Sequence, residues 1–163
     1  MMDQPEPHHL PPSTPFPNSP LPLLVYHDAL PSDPAAVESL FARHGWTAAW
    51  VNGVYPFHHW HSSAHEVLGC TRGQARLRLG GPEGLLLDAI PGTVLVIPAG
   101  VAHCNEGSSP DFQVVGATDG GRDYDIVRGA PTARQRENLA TLPLPKSDPV
   151  HGPGGPLPRL WRT

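Results

Sequence analysis

Four of the ten histidines, His58, His59, His61 and His65, lie within eight consecutive residues, and a fifth, His103, follows the later turn Pro98-Ala99-Gly100. In an extended strand successive side chains alternate faces, so His59 and His61 project to one side and His58 and Trp60 to the other. Tyr55 and Phe57 share the parity of His59 and His61, which predicts an apolar wall beside two converging imidazoles. After a short turn through Ser62, Ser63 and Ala64, Glu66 opens the next run and can return a carboxylate to the same point. His103 can bring a third imidazole from a separate strand. Three neutral imidazoles and one carboxylate suit a borderline divalent transition metal such as Fe, Mn, Co, Ni, Cu or Zn, whereas calcium and magnesium want more oxygen. His65 precedes Glu66 across a turn of undetermined shape, so it can enter the set in place of Glu66 or beside it. An HxH pair alone is more often a packed or solvated histidine group than a pair of ligands, so the surrounding spacing must carry the assignment.

The elements that would position these groups are short. Asp33 can cap a helix, Pro34 suits its first position and Gly45 suits the left-handed stop after His44, with Val37, Leu40, Phe41 and His44 sharing a face. Beyond Gly45 the pattern changes to β-like runs, WTAAWVN, VYPFHHWH, EVLGCT, QARLRL, LLLDAI, TVLVIP and DFQVVGA, separated by Gly, Pro, Asn or Ser clusters. Such spacing predicts an antiparallel sandwich or barrel. A second helix is weakly signalled over Thr132 to Leu142. Eight prolines fall in the first 22 residues and six between Pro143 and Pro158, against five in the 79 residues from Gly45 to Asp123, so the domain is the middle and the ends are extended. Residues 1–16 read as a proline-rich, flexible leader. Leu21, Leu23, Leu24, Val25 and Tyr26, with Leu157, Leu160 and Trp161, are apolar anchors that would lay both tails on one domain spanning residues 17–163.

Composition narrows the partners. Eleven Lys and Arg against fifteen Asp and Glu give a net charge of -4, with Lys146 as the single lysine, so no basic stripe is present to neutralise a phosphate backbone. Nucleic acid is therefore not an expected partner. Apolar runs of about five residues fall far short of the ~18 of a membrane span. The opening residues lack the basic and apolar regions of a signal peptide, which places the protein in the cytoplasm. Cys70 and Cys104 are expected to be free thiols, Cys70 inside the barrel but remote from Glu66 and Cys104 facing away from the site. Arg76 and Arg78 read as a solvated sheet face, His8 and His9 as solvent-exposed, and Trp46, Trp50, Trp60 and Trp161 as packing residues.

The wider spacing carries more weight. The chain reads Gly53, five residues, His59, one, His61, four, Glu66, six, Gly73, and then Gly92, five residues, Pro98, one, Gly100, two, His103. This resembles the two motifs of the cupin superfamily, G(x)5HxH(x)3-4E(x)6G and G(x)5PxG(x)2H(x)3N, at nine fixed positions, with 18 residues between Gly73 and Gly92. The one departure is Gly107 where the second motif closes on Asn; Asn105 stands two residues earlier, and that position is not a ligand. The order PNSPLPLLVYHDAL, a short helix, GW, W, NGVYPFHHWHSSAHEVLG, LGGPEG, IPAGVAH, DFQVVGATDGG, YD and DPVHGPGGPL is similar to the YjlB-like subgroup of small bacterial cupins, from about Pro17 to the C-terminus. The resemblance implies an all-β fold, a single cupin-type double-stranded β-helix or jelly-roll barrel with one short N-terminal helix and extended proline-rich tails. It also implies one divalent metal, Fe, Mn, Ni or Zn, inside the wider mouth, and it favours Glu66 over His65 beside His59, His61 and His103.

Two classes of function follow. One is a metal-dependent enzyme on a small organic molecule, dioxygenase-like or isomerase-like, using open coordination positions for substrate, water or O₂. The other is a non-catalytic small-molecule binding or sensing protein on the same barrel. Inward groups available to an enzyme are Tyr55, His65, Gln113 and Asn105, none of which identifies a catalytic residue. A homodimer is expected, as small cupins often pair through sheet edges.

Overall fold

The computed structural model describes residues 4–162. Its longest apolar runs form strands that are buried on both faces. In β2 (Ser19–Tyr26), β4 (Glu66–Arg72) and β7 (Val94–Ile97), nearly every side chain is inside. Together with β1 (Glu6–Leu10), β3 (Trp46–Asn52) and β9 (Gln113–Asp119) they make a six-stranded antiparallel sheet in the order β1-β2-β7-β4-β9-β3. Its inner face presents Leu23, Val25, Leu68, Leu95, Ile97 and Val114 to Leu77 and Leu79. Those two belong to the second sheet, three strands in the order β6 (Leu85–Ala89)-β5 (Ala75–Leu79)-β8 (His103–Ser108). The outer face presents Leu24, Val67, Val94, Val96 and Val115 to α1 (Pro34–Arg43) and to the C-terminal segment. The fold is the expected all-β jelly roll, with its large sheet covered on both sides, which is why those strands read as continuous apolar runs rather than as alternating ones.

Helix α1 begins as its sequence directs. The Asp33 carboxylate accepts from the Ala35 amide at 3.2 Å, Pro34 opens the helix, and Gly45 turns the chain at φ +83°. Helix α2 (Ala133–Thr141) opens on a reciprocal capping box between Thr132 and Gln135.

Three segments differ from expectation. Residues 54–61 do not form a continuous strand; they join the fold through isolated bridges, His59 to His103 and Trp60 to Val127, and Pro56 within the run cannot donate to a ladder. Strand β8, His103–Ser108, lies in a polar stretch with no apolar alternation to announce it. The leader contributes a strand, since Glu6–Leu10 pairs antiparallel with β2, from Glu6 opposite Val25 to Leu10 opposite Ser19. Strand β2 itself is interior. Its prolines, Pro20 and Pro22, fall before the Leu24–Tyr26 stretch that pairs with β7, so they break no rung there.

The C-terminal segment is held by one buried carboxylate. Asp148, fully buried, accepts from the Tyr26 hydroxyl and from the amides of Val150 at 2.8 Å, His151 at 3.0 Å and Leu157 at 3.2 Å. Burial, reinforced by Asp148, pushes the Tyr26 phenol far above its usual range, so it stays a donor. The Leu157 bond starts α3 (Leu157–Leu160), a helical turn in a tail whose prolines suggest an extended chain. Trp161 closes the segment by donating from its indole to the Pro22 carbonyl at 2.7 Å. Asp148→Ala should strand four donors and cost about 3 kcal/mol, read from urea unfolding. Trypsin should then cut the native-state variant at Arg159 faster than it cuts the parent chain there.

Candidate metal centre

Backbone pairing builds the centre before any side chain is considered. The amide of His59 donates to the His103 carbonyl at 3.1 Å and the amide of His103 returns to the His59 carbonyl at 2.9 Å. That rung places the two rings with centroids 4.1 Å apart. Gly100, at φ +98°, donates to the His61 carbonyl at 2.9 Å, and a side chain there would strike the Asn18 carbonyl, so the PAG turn needs this glycine to bring β8 against residues 59–61. Glu66 enters from the first residue of β4, beside β9 and β7.

The four side chains expected to meet do so. His59, His61 and His103 are buried, and their ligand nitrogens lie within 4.8 Å of one another. Glu66 Oε1 is 3.3 Å from His103 Nε2, and its Oε2 is 3.5 Å from His61 Nε2. Each imidazole is oriented through its other nitrogen. Nδ1 of His59 donates to the Phe57 carbonyl at 3.0 Å, that of His103 to Val101 at 3.0 Å and that of His61 to Asp125 at 2.5 Å. A carbonyl only accepts, so each Nδ1 carries the proton and each Nε2 faces inward.

Electrostatics sharpen this. Burial, aided by the neighbouring His103, lowers the His59 imidazole to about 3, so it is neutral at pH 7. Burial is the largest single influence on His61 and opposes its charge, but Glu66 and Asp125 together outweigh it and raise its affinity for a proton. Burial would raise the Glu66 carboxyl; His61 and His103 reverse that and hold it well below the usual carboxylate range. Nε2 of His61 and of His103 are buried with no hydrogen-bond partner among the described residues. Unpaired, inward-facing imidazole nitrogens around an ionised carboxylate are the donor set a divalent cation would complete, and they suggest a metal ion.

His65 is turned away from this set. Its Nδ1 accepts from the Ala99 amide at 2.9 Å and its ring lies edge-on to Trp161, on the side of the sheet opposite Glu66. Its Nδ1 is therefore unprotonated and Nε2 carries the hydrogen. Cys70 and Cys104 are free and buried. Arg76 and Arg78 pair with Asp88 and Glu106 on the exposed sheet face. Asn105 hydrogen-bonds Ser108 and Gln113 bonds Thr71, and neither lines the cavity above the histidines.

That cavity is a cup of about 310 Å³. Tyr55 stands on its rim, 47% exposed and stacked on Phe57 at 4.9 Å, while Phe57 lies under the Arg128 guanidinium instead of lining the cup. Trp50 packs against the inner core, as expected of it, and also lines the cup, on the opposite side of the sheet from Trp46. The cause is a bulge in β3. Between Thr47 and Trp50 the register against β9 slips, with Ala48 at φ +57°, so Trp46 faces the outer core and Trp50 the inner side against Gly116. Tyr124 and Asp125 stand in the family-like order as the pair YD, but the sequence assigned them no role. Tyr124 sets its ring edge-on to His61 at 4.9 Å, and burial, followed by Glu66, raises its phenol. The Asp125 carboxylate accepts from the Ser62 amide at 2.7 Å and hydroxyl at 2.6 Å, so the loop that orients His61 is clamped to the residue after it.

Comparison with known proteins places the chain among relatives. Residues 49–129 match the family described as Cupin. The chain is 42% identical over 149 residues to protein YjlB of Bacillus subtilis (strain 168), covering 90% of each chain. Among solved structures it is similar to acireductone dioxygenase from Bacillus anthracis, at 19% identity and a TM-score of 0.35, covering 56% of this chain and 57% of that one. It is also similar to procruciferin, an 11S globulin from Brassica napus, at 16% identity and a TM-score of 0.38, covering 67% of this chain and 28% of that one. Neither structural likeness bears on activity.

The orientation of the rings has a direct spectroscopic test. Long-range proton–nitrogen spectra should show His59 and His103 protonated at Nδ1 and His65 protonated at Nε2. A common tautomer for all three would contradict the backbone contacts described above.

Proposed function

This chain belongs to the cupin family, and we propose that it is a metal-dependent enzyme acting on a small organic molecule, with His59, His61, Glu66 and His103 as ligands of one divalent transition metal, Fe, Mn, Ni or Zn. The observation that supports this reading is the convergence of inward-facing Nε2 atoms and one carboxylate at the floor of an open cup. Bound there, such a metal would polarise a coordinated oxygen and, as Fe(II), supply redox chemistry with O₂, which is why dioxygenase-like and isomerase-like reactions are the classes proposed.

The chain's own residues do the remaining work. Hydrogen bonds to the carbonyls of Phe57, Val101 and Asp125 keep Nε2 of each histidine directed inward without reorganisation. Trp50, Val54 and Leu68 wall the cup and exclude water from the floor. Tyr124 and Tyr55 bring phenols to the mouth, where they can hold or pass a proton. β1 and β3 end the large sheet and β6 and β8 the small one, and the proposed homodimer can form through such an edge.

Protein purified without chelator or nickel resin should contain close to one transition metal per chain. The His59→Ala/His61→Ala double variant should contain almost none, and undiminished metal in it would sink the assignment. Asp125→Ala, which releases the clamp behind His61, should weaken metal affinity by about tenfold or more in competition with a chelator. Enzyme and binding protein are separated by loading the chain anaerobically with Fe(II), adding hydroxy-ketones or carboxylates, and following O₂ consumption. Spectral binding without turnover across the Fe, Mn, Ni and Zn forms would favour a small-molecule sensor.

A further inference from the structure

None of the eleven lysines and arginines of the chain lines the cup. Arg128 is held on the face of Phe57, 3.8 Å from its ring centroid. Glu66 is the formal charge in the lining, and the other polar groups there, Asn52, Tyr55 and Tyr124 among them, are neutral. A divalent ion among neutral imidazoles and Glu66 retains a single positive charge. In a walled cup one anionic oxygen neutralises it. A second would be buried without a counter-ion and would face Glu66.

The two phenols at the mouth are not equivalent. Tyr55 is 47% exposed and leans on Phe57. Tyr124 is attached to the clamped residue: Asp125 is bonded through its carboxylate to Ser62 and through its carbonyl to His61 Nδ1. The Tyr124 backbone is thereby indexed to a candidate ligand, and its ring already touches that ligand edge-on. A phenol, with its ordinary pKa near 10, is a hydrogen-bond donor at neutral pH. The cup's volume, about 310 Å³, sits at the small end of ligand sites, which run from about 300 to 1,000 Å³.

We infer that the cup takes a small neutral or singly anionic oxygen chelator, of the hydroxy-ketone or hydroxy-acid class, that an oxygen of this chelator accepts a hydrogen bond from the Tyr124 phenol, and that dianions such as dicarboxylates and phosphates are excluded. This rests on the reading of the centre as a metal site and names the ligand class that site selects.

The test uses the chain loaded with Co(II), its metal content measured first and its visible absorption then titrated with maltol, lactate, malonate and inorganic phosphate. Each dissociation constant is compared with that of the same compound for free Co(II). Relative to the free ion, maltol and lactate should be favoured over malonate and phosphate by about tenfold or more, the cost of one uncompensated buried charge even when partly solvated. Tyr124→Phe should keep its Co(II) and bind maltol about five- to tenfold more weakly, as expected for loss of one hydrogen bond. Equal relative affinities for malonate and maltol overturn the charge selection. Unchanged maltol binding in a fully loaded Tyr124→Phe chain overturns the phenol contact. Failure of the parent chain to take up Co(II) overturns the metal reading itself and is distinguished from both by the metal analysis.

Discussion

Glu66 is a carboxylate only 3% exposed, with imidazoles as its immediate compensation. A buried charge of this kind is tolerated only where the fold brings partners to it without further cost. The barrel does so with backbone. The His59–His103 rung, the PAG turn beneath His61 and the Asp125 loop behind it bring three rings around one carboxylate, and carbonyls fix the proton on the outer nitrogen of each. The centre is pre-organised by main-chain hydrogen bonds, with the Asp125 carboxylate clamping the loop behind His61.

The rest of the molecule can be understood as support for that end of the barrel. Because the large sheet is covered outside by α1 and by the Asp148-anchored C-terminal segment, β4 is buried on both sides and cannot shift in register. A one-residue slip would carry Glu66 to the face now occupied by His65. His65 shows what that opposite face is for: it accepts from Ala99 in the turn leading toward His103 and packs on Trp161, tying the C-terminal segment to the same turn. Adjacent residues thus serve two different surfaces of one strand.

The cup above the centre combines a charged floor with neutral walls. His59, His61, Glu66 and His103 make the floor, and Trp50, Tyr55 and Tyr124 stand in the walls. Selectivity in such a site arises as much from what is withheld, here any cationic side chain, as from the contacts offered.

Much of this was legible without coordinates. Parity and turn positions brought out His59, His61 and His103 and left His65 and Glu66 as alternatives that the resemblance to the cupin motifs weighed toward Glu66, because a strand's two-residue period and the Gly and Pro turn positions are local properties that a linear pattern records. The caps of α1, the place of α2 and the apolar strands were legible for the same reason. Other features depended on partners distant in sequence. Whether His65 or Glu66 faces the centre was decided by the pairing of β4 with β7 and β9. Trp50 was turned into the cup by a bulge that exists only against β9, and Tyr124 and Asp125 acquired their places from a loop folding back onto Ser62 and His61. The strand within the proline-rich leader needed β2 as a template. Local periodicity determined which residues could act together; long-range pairing decided which way each one faces, since a parity changes whenever a bulge or a neighbouring strand shifts the register by one residue.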